Sequence, residues 1–152
     1  MDILEMLLLI TIACCYVFFL VTLQKSLKTI STYNRNMEPA AVWILIVPFL
    51  GTVFMFFVAD AIATGFKREF EQRGVFTQAN PTYAMGLTMA TLQCGYFLAT
   101  FFTGATLFIM LFGFAIPVIW ILYWVQVNQK RKELLNLKRN RNLEPGETSI
   151  FV

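Results

Sequence analysis

The sequence predicts an all-α integral membrane protein: one antiparallel bundle of four transmembrane helices over residues 1–137, with cytoplasmic helical extensions, followed by a cytoplasmic tail over 138–152. Three observations predict it. The chain is 58% hydrophobic and 14% charged, against roughly 45–50% and about 25% in soluble domains, which leaves too little charge to cover a water-facing surface. The charges are gathered in short stretches between long apolar runs. Residues 82–127 hold 46 positions without one Lys, Arg, Asp or Glu, about twice the roughly 20 residues that one crossing requires.

The first helix is expected over about 3–32. Residues 3–23 carry Glu5 as their only charge and are long enough to span. Beyond them Leu20, Leu23, Leu27 and Ile30 recur at helical spacing, with Lys25, Lys28 and Thr32 on the other side, an amphipathic extension that ends in the polar turn 33–36. A second helix is expected over 39–73, opened by Pro39, where a missing N–H costs nothing. It spans with residues 40–66, kinks at Pro48 near Gly51, and continues as a charged arm to Gly74, the natural stop. Asn80 and Pro81 form a start signal for a third helix over about 81–102. The break in the uncharged stretch falls at Thr103-Gly104-Ala105, and the fourth helix runs over 105–137 with a kink at Pro117. Residues 144–147, Glu-Pro-Gly-Glu, end any helix.

Orientation follows from the twelve basic residues, whose excess belongs on the cytoplasmic side. Six lie in 128–152, three in 67–74, three in 25–35, and none near residue 103. Four crossings with both termini cytoplasmic put nine of them inside and three outside. A second arrangement makes 40–66 a re-entrant hairpin broken at Pro48 and Gly51, with the acidic N-terminal residues outside and all twelve basic residues inside. It fits charge better and backbone satisfaction worse, because irregular backbone at membrane depth needs shielding by protein or a water-filled cavity.

The chain has no histidine, which excludes histidine-ligated haem, a histidine proton relay and a Ser/His/Asp triad. Cys14, Cys15 and Cys94 lie in apolar runs and read as small buried hydrophobes, so neither a metal site nor another cofactor is expected. Residues 12–14 loosely resemble a lipobox, but no basic residue precedes them, and the first helix is expected to stay as an anchor.

Three intramembrane polar residues are singled out. Asp60 sits just inside the hydrocarbon edge, where it can pair with Lys67, Arg68 or a basic group of the tail, or handle an ion. Gln93, with Thr91 beside it, is near the middle of the third helix and is expected to bond across a helix interface. Small residues mark packing faces: Ala59 and Ala63, Ala61 and Gly65 on the second helix, and Gly86 and Ala90, Gly95 and Ala99 on the third. Lys130, Arg131 and Lys132 beside Trp124 suit anionic lipid headgroups. No aromatic interleaving accompanies the basic residues, so nucleic acid is not an expected partner.

Residues 27–31, 34–39 (Asn-Arg-Asn-Met-Glu-Pro), 42–49 (Val-Trp-Ile-Leu-Ile-Val-Pro-Phe) and 67–74 (Lys-Arg-Glu-Phe-Glu-Gln-Arg-Gly) resemble small bacterial four-helix membrane proteins grouped as domains of unknown function. The resemblance covers roughly the first half. That family carries a polar residue soon after the proline, where this chain has only Thr52. The resemblance implies a multi-pass protein of the bacterial inner membrane and supplies no activity. The expected role is a noncatalytic membrane component, a homo-oligomer or an accessory subunit in contact with membrane lipids. The alternative is a small channel or transporter with Asp60 and Gln93 near the pathway.

Overall fold

Pro48 decides the architecture. In the computed structural model, which describes residues 2–75, 80, 82–103 and 106–143 (side chains outside 102–112 and 141–143), the chain folds back at that residue. The helices are α1 (Ile3–Thr29), a 3₁₀ helix (Pro39–Ile46), α2 (Pro48–Glu71), α3 (Tyr83–Leu98) followed by a π-helical turn (Ala99–Thr103), and α4 (Thr106–Leu143). The described residues include no strand. Among the described residues two helices, α1 and α2, are long and apolar enough to cross a membrane.

α1 starts where the Asp2 N–H donates to Glu5 Oε2 at 3.2 Å, one of the N–H groups a helix start otherwise leaves free. It ends at Thr29, three residues short of the expected bound, because Ile30 is extended (φ −72°, ψ 133°) and buried in the core.

The single helix expected over 39–73 is instead two helices joined at Val47. A residue before proline is pushed out of the α region, and Val47 is extended (φ −77°, ψ 114°). Pro48 also lacks the N–H that Ile44 O would accept in an α-helix. The tighter 3₁₀ pattern resolves this, with the Val47 N–H donating to Ile44 O at 3.0 Å. Leu45 O is then the carbonyl whose 3₁₀ partner is missing, and the Tyr16 hydroxyl of α1 donates to it at 2.8 Å. The turn is tight: a Cβ on Gly51 would lie 2.5 Å from Leu45 O.

The two arms of this hairpin return to the same end of the molecule. Ser31 and Asn34, just beyond α1, bond Glu69 and Gln72 at the end of α2, and a Cβ on Gly65 would meet Ile30 Cδ1 at 2.6 Å. α1 and α2 are therefore parallel, where the expected second helix runs antiparallel to the first. Tyr16, which holds the tip, has 13 residues of α1 above it, about 20 Å at about 1.5 Å per residue.

α2 closes as the sequence predicts. Gly74 takes φ +75°, and the Gly74 and Val75 N–H groups donate to Glu71 O and Phe70 O, each at 3.0 Å, the two bonds of a Schellman motif. α3 begins at Tyr83 after Thr82, which takes a left-handed conformation at φ 69°; Pro81, expected to open this helix, lies outside the described residues. α3 runs antiparallel to α2, since Phe97 meets Phe49 at one end (5.5 Å between ring centroids) and Gly86 meets Ala59 further down. Gly104 and Ala105 also lie outside the described residues. α4 runs back parallel to α1 and α2, contains Pro117 without ending, and continues to Leu143, six residues past the expected bound.

The core lies toward the end where α1, α2 and α4 finish. Phe19, Leu23 and Leu27 of α1, Val58, Ile62 and Phe66 of α2, Met89 and Ala90 of α3, and Tyr123, Val127 and Leu134 of α4 are all buried together. Away from this end α1 stands clear, with every described residue before Cys15 exposed.

Tyr16→Phe leaves Leu45 O without its donor, which costs about 1–3 kcal/mol for a buried acceptor, and Gly51→Ala forces the hairpin apart. Thermal unfolding in detergent should show both variants destabilised. Gly113→Ala, which meets no described atom within 4 Å, should be neutral or slightly stabilising.

Candidate functional site

Two places gather polar or recessed groups: the end where three helices finish, and a cavity further along the bundle.

At the first, Glu69 is 1% exposed. Its carboxylate accepts the Ser31 N–H and the Ser31 hydroxyl, and Arg73 Nη2 donates to Oε2 at 2.9 Å. Asn34 and Gln72 exchange amide bonds of 2.8 and 3.1 Å, Asn34 Nδ2 reaches Ser31 Oγ at 3.1 Å, and Arg68 donates to Asn36 Oδ1 at 2.6 Å. α4 joins through Lys138, which donates to Thr29 O. Thr29 is the last residue of α1, so its carbonyl has no partner further along the helix, and Lys138 also brings positive charge to the negative end of the helix dipole. Glu69 lies past the apolar part of α2. Burial raises its pKa, but the hydrogen bonds from Ser31 and Arg73 and the charge of Lys138 outweigh burial and hold it at about 2. This cluster fixes three helix ends relative to one another; Arg73 Nε is buried in it without a partner among the described residues. Sequence reasoning read 67–73 only as a charged arm; the one signal was an acid, Glu69, on the same helical face as Ile62 and Phe66, where burial demands a partner.

Two of the expected partners of Asp60 are engaged elsewhere. Lys67 pairs with Glu71 at 3.9 Å and Arg68 with Asn36. Asp60 is exposed, on one stripe of α2 with Val53 and Phe57, and forms no hydrogen bond or ion pair among the described residues. Thr91 is exposed and donates back to Leu87 O at 2.9 Å. Gln93 forms no bond across a helix interface among the described residues.

The small residues are mostly spent inside the chain. A Cβ on Gly86 would meet Ala59 Cβ at 2.7 Å and Tyr123 Cε2 at 3.0 Å, and Gly65 receives Ile30. Ala59, Ala61, Ala63 and Ala90 are buried, while Gly95 and Ala99 are half-buried. These faces bring α2, α3 and α4 together rather than standing free for a second copy.

Of the basic triplet, Lys130 bonds Glu133 Oε2 at 2.8 Å and sits 5.6 Å from the Phe70 ring centroid. Lys132 is exposed and Arg131 half-buried. Neither forms an ion pair among the described residues.

The second place is a cavity of about 360 Å³ between α1, α3 and α4, walled by Thr11, Ile12, Cys15, Tyr16, Met89, Gln93, Ile116, Pro117 and Trp120. It gathers Gln93 but neither Asp60 nor Thr91. No single stretch of sequence signals it, because its wall comes from three distant segments.

Comparison with known protein families, with characterised proteins and with solved structures finds no match.

The Glu69 carboxyl, held at about 2 against an ordinary 4.5, contributes stability that is complete above about pH 4.5 and is lost as pH falls toward 2. The melting temperature in detergent should drop across that window. Glu69→Gln should be less stable at pH 7 by about 2 kcal/mol and lose this part of the pH dependence.

Proposed function

We propose that this chain is a noncatalytic integral membrane component that crosses the bilayer three times. α1, α3 with its π-helical turn, and α4 are the crossings, and residues 39–71 form a re-entrant hairpin that enters and leaves on the cytoplasmic side. The observation that carries this is the placement of charge. All twelve Lys and Arg residues belong to the ends of α1, α2 and α4 and the loop after α1, which the Glu69, Lys138 and Asn34 contacts hold at one end. Asp2 and Glu5 lie at the other. A basic end of this kind is the cytoplasmic one, so the N-terminal residues face outward.

Exposure supports the same reading. α1 has a mean hydropathy of 2.7 over its most apolar window, of which only 17% is buried, and Ile3 and Leu4 are 75% and 78% exposed. A helix that is apolar all round and uncovered by its own chain is covered by lipid or by another protein. The hairpin tip presents Ile46, Val47, Phe49 and Leu50 in the same way. Its irregular backbone is acceptable at depth because Leu45 O is satisfied by Tyr16.

Within the membrane the role we infer is that of an accessory subunit in a bacterial inner membrane, in line with the resemblance of the first half. Asp60 supports it: a carboxylate on an apolar outer stripe, about 10 Å along α2 from Lys67 at about 1.5 Å per residue, finds its compensating group outside this chain. The channel alternative has less support, because Asp60 on the outside of α2 and Gln93 in the cavity do not share a path through one chain.

Cysteine labelling of intact cells tests the topology in a protein whose Cys14, Cys15 and Cys94 are replaced by Ser. An impermeant maleimide should reach Asp2→Cys, while Glu38→Cys, Glu71→Cys and Lys132→Cys should react only after permeabilisation. Labelling of Glu71→Cys together with Lys132→Cys, but of Glu38→Cys only from outside, would restore a full second crossing. Extraction in mild detergent should give a species larger than one chain; a strict monomer counts against the subunit role.

A further inference from the structure

The cavity beside Gln93 has a composition that specifies an occupant. Its volume of about 360 Å³ falls at the lower end of the roughly 300–1,000 Å³ of small-molecule sites. Ile12, Met89, Ile116 and Pro117 supply hydrocarbon, and Tyr16 and Trp120 supply rings. Two of its polar groups, both hydroxyls, are engaged. Thr11 Oγ1 donates back to Leu7 O at 2.8 Å, and Tyr16 Oη donates to Leu45 O at 2.8 Å. Two lining side chains are unpartnered among the described residues: the Gln93 amide and the buried Trp120 Nε1–H.

A free amide in apolar surroundings costs free energy until something bonds it. Water alone suits the space poorly, because Ile12, Met89, Ile116 and Pro117 offer it nothing to bond. A charged ligand is excluded as well, since no Lys, Arg, Asp or Glu lines the cavity. Thr11, Ile12 and Pro117 are exposed, so the cavity opens on the side where α1 stands clear, which the membrane reading above makes the lipid side.

We propose that this cavity binds a neutral amphiphile drawn from the bilayer: a hydrocarbon body carrying one uncharged hydroxyl or carbonyl group, which the Gln93 amide hydrogen-bonds. The inference rests on the membrane reading for its route of access and on the cavity wall for its chemistry.

Trp120 lines the cavity and reports its contents. A protein with Trp43→Phe and Trp124→Phe keeps Trp120 as its single tryptophan, and a companion with Trp120→Phe and Trp124→Phe keeps only Trp43 at the exposed hairpin. Both are placed in phosphatidylcholine vesicles and titrated with a brominated long-chain alcohol, whose bromines quench indole on contact. Trp120 fluorescence should fall along a saturable curve, while Trp43 quenching should rise in proportion to probe content. Gln93→Leu should raise the half-saturation point roughly fivefold, the worth of one hydrogen bond of about 1 kcal/mol at membrane depth. The corresponding brominated alkane, which lacks the hydroxyl, should bind the unsubstituted Gln93 protein equally weakly. Cys15→Phe should fill the space and abolish the saturable phase.

Unsaturable quenching of Trp120, or the same half-saturation for alcohol and alkane and for Gln93→Leu, overturns the proposal. A saturable phase that survives Cys15→Phe at unchanged melting temperature does so as well. Quenching of neither tryptophan removes the membrane reading along with the site, whereas quenching of Trp43 alone removes only the site.

Discussion

A polypeptide that reverses direction among apolar groups must satisfy every peptide group at the turn, and here that demand concentrates on one carbonyl. Pro48 cannot donate, so Leu45 O needs a donor from elsewhere, and the Tyr16 hydroxyl supplies it. That single bond ties the hairpin to the middle of α1. Once the tip is fixed, α2 has to descend alongside α1, and its last turn arrives where Ser31 and Asn34 wait. α3 packs against the descending helix through Gly86 and Ala59, and α4 closes on both through Tyr123. The parallel placement of three helix ends follows from the one satisfied acceptor.

The polar cluster around Glu69 answers the hairpin from the other end. It joins the residues after α1 to the last turns of α2, while Lys138 ties in α4, so that helices far apart in sequence finish at one level. The cluster also gathers the basic residues. Local pairing absorbs some of that charge, as in Lys67 with Glu71 and Lys130 with Glu133, but exposed i,i+3 and i,i+4 pairs of this kind contribute little. The buried Glu69 bonds fix the geometry, and the exposed cations set the electrostatic character of that end.

How much of this was legible in the sequence depended on whether the signal was local. The apolar length of α1, the stop at Gly74 and the uncharged run through α3 and α4 are read from neighbouring residues, and each has its counterpart in the structure. Pro48 was ambiguous because a kink and a reversal begin with the same missing N–H. What separates them is tertiary: a tyrosine 29 positions away that reaches Leu45 O, and the absence of a side chain at Gly51, which lets the backbones approach. The one-sided charge count of the re-entrant arrangement, with all twelve basic residues inside, pointed toward the observed fold-back, and the helical spacing of small residues found the internal contacts without saying that they were internal. The surroundings of Gln93 and Asp60 were not legible at all, since they depend on which helices stand beside them and which do not.

The hairpin has a mechanical consequence for the surrounding bilayer in the orientation proposed above. Below Val47 both arms of the hairpin share the cross-section with α1, α3 and α4, whereas above it only α1, α3 with its π-helical turn, and α4 remain. The molecule is therefore broader in one leaflet than in the other. Such a taper displaces more lipid from the cytoplasmic monolayer than from its opposite, so membrane shape and lateral pressure act on this protein as a wedge and bear most directly on the narrow end, where α1 stands apart.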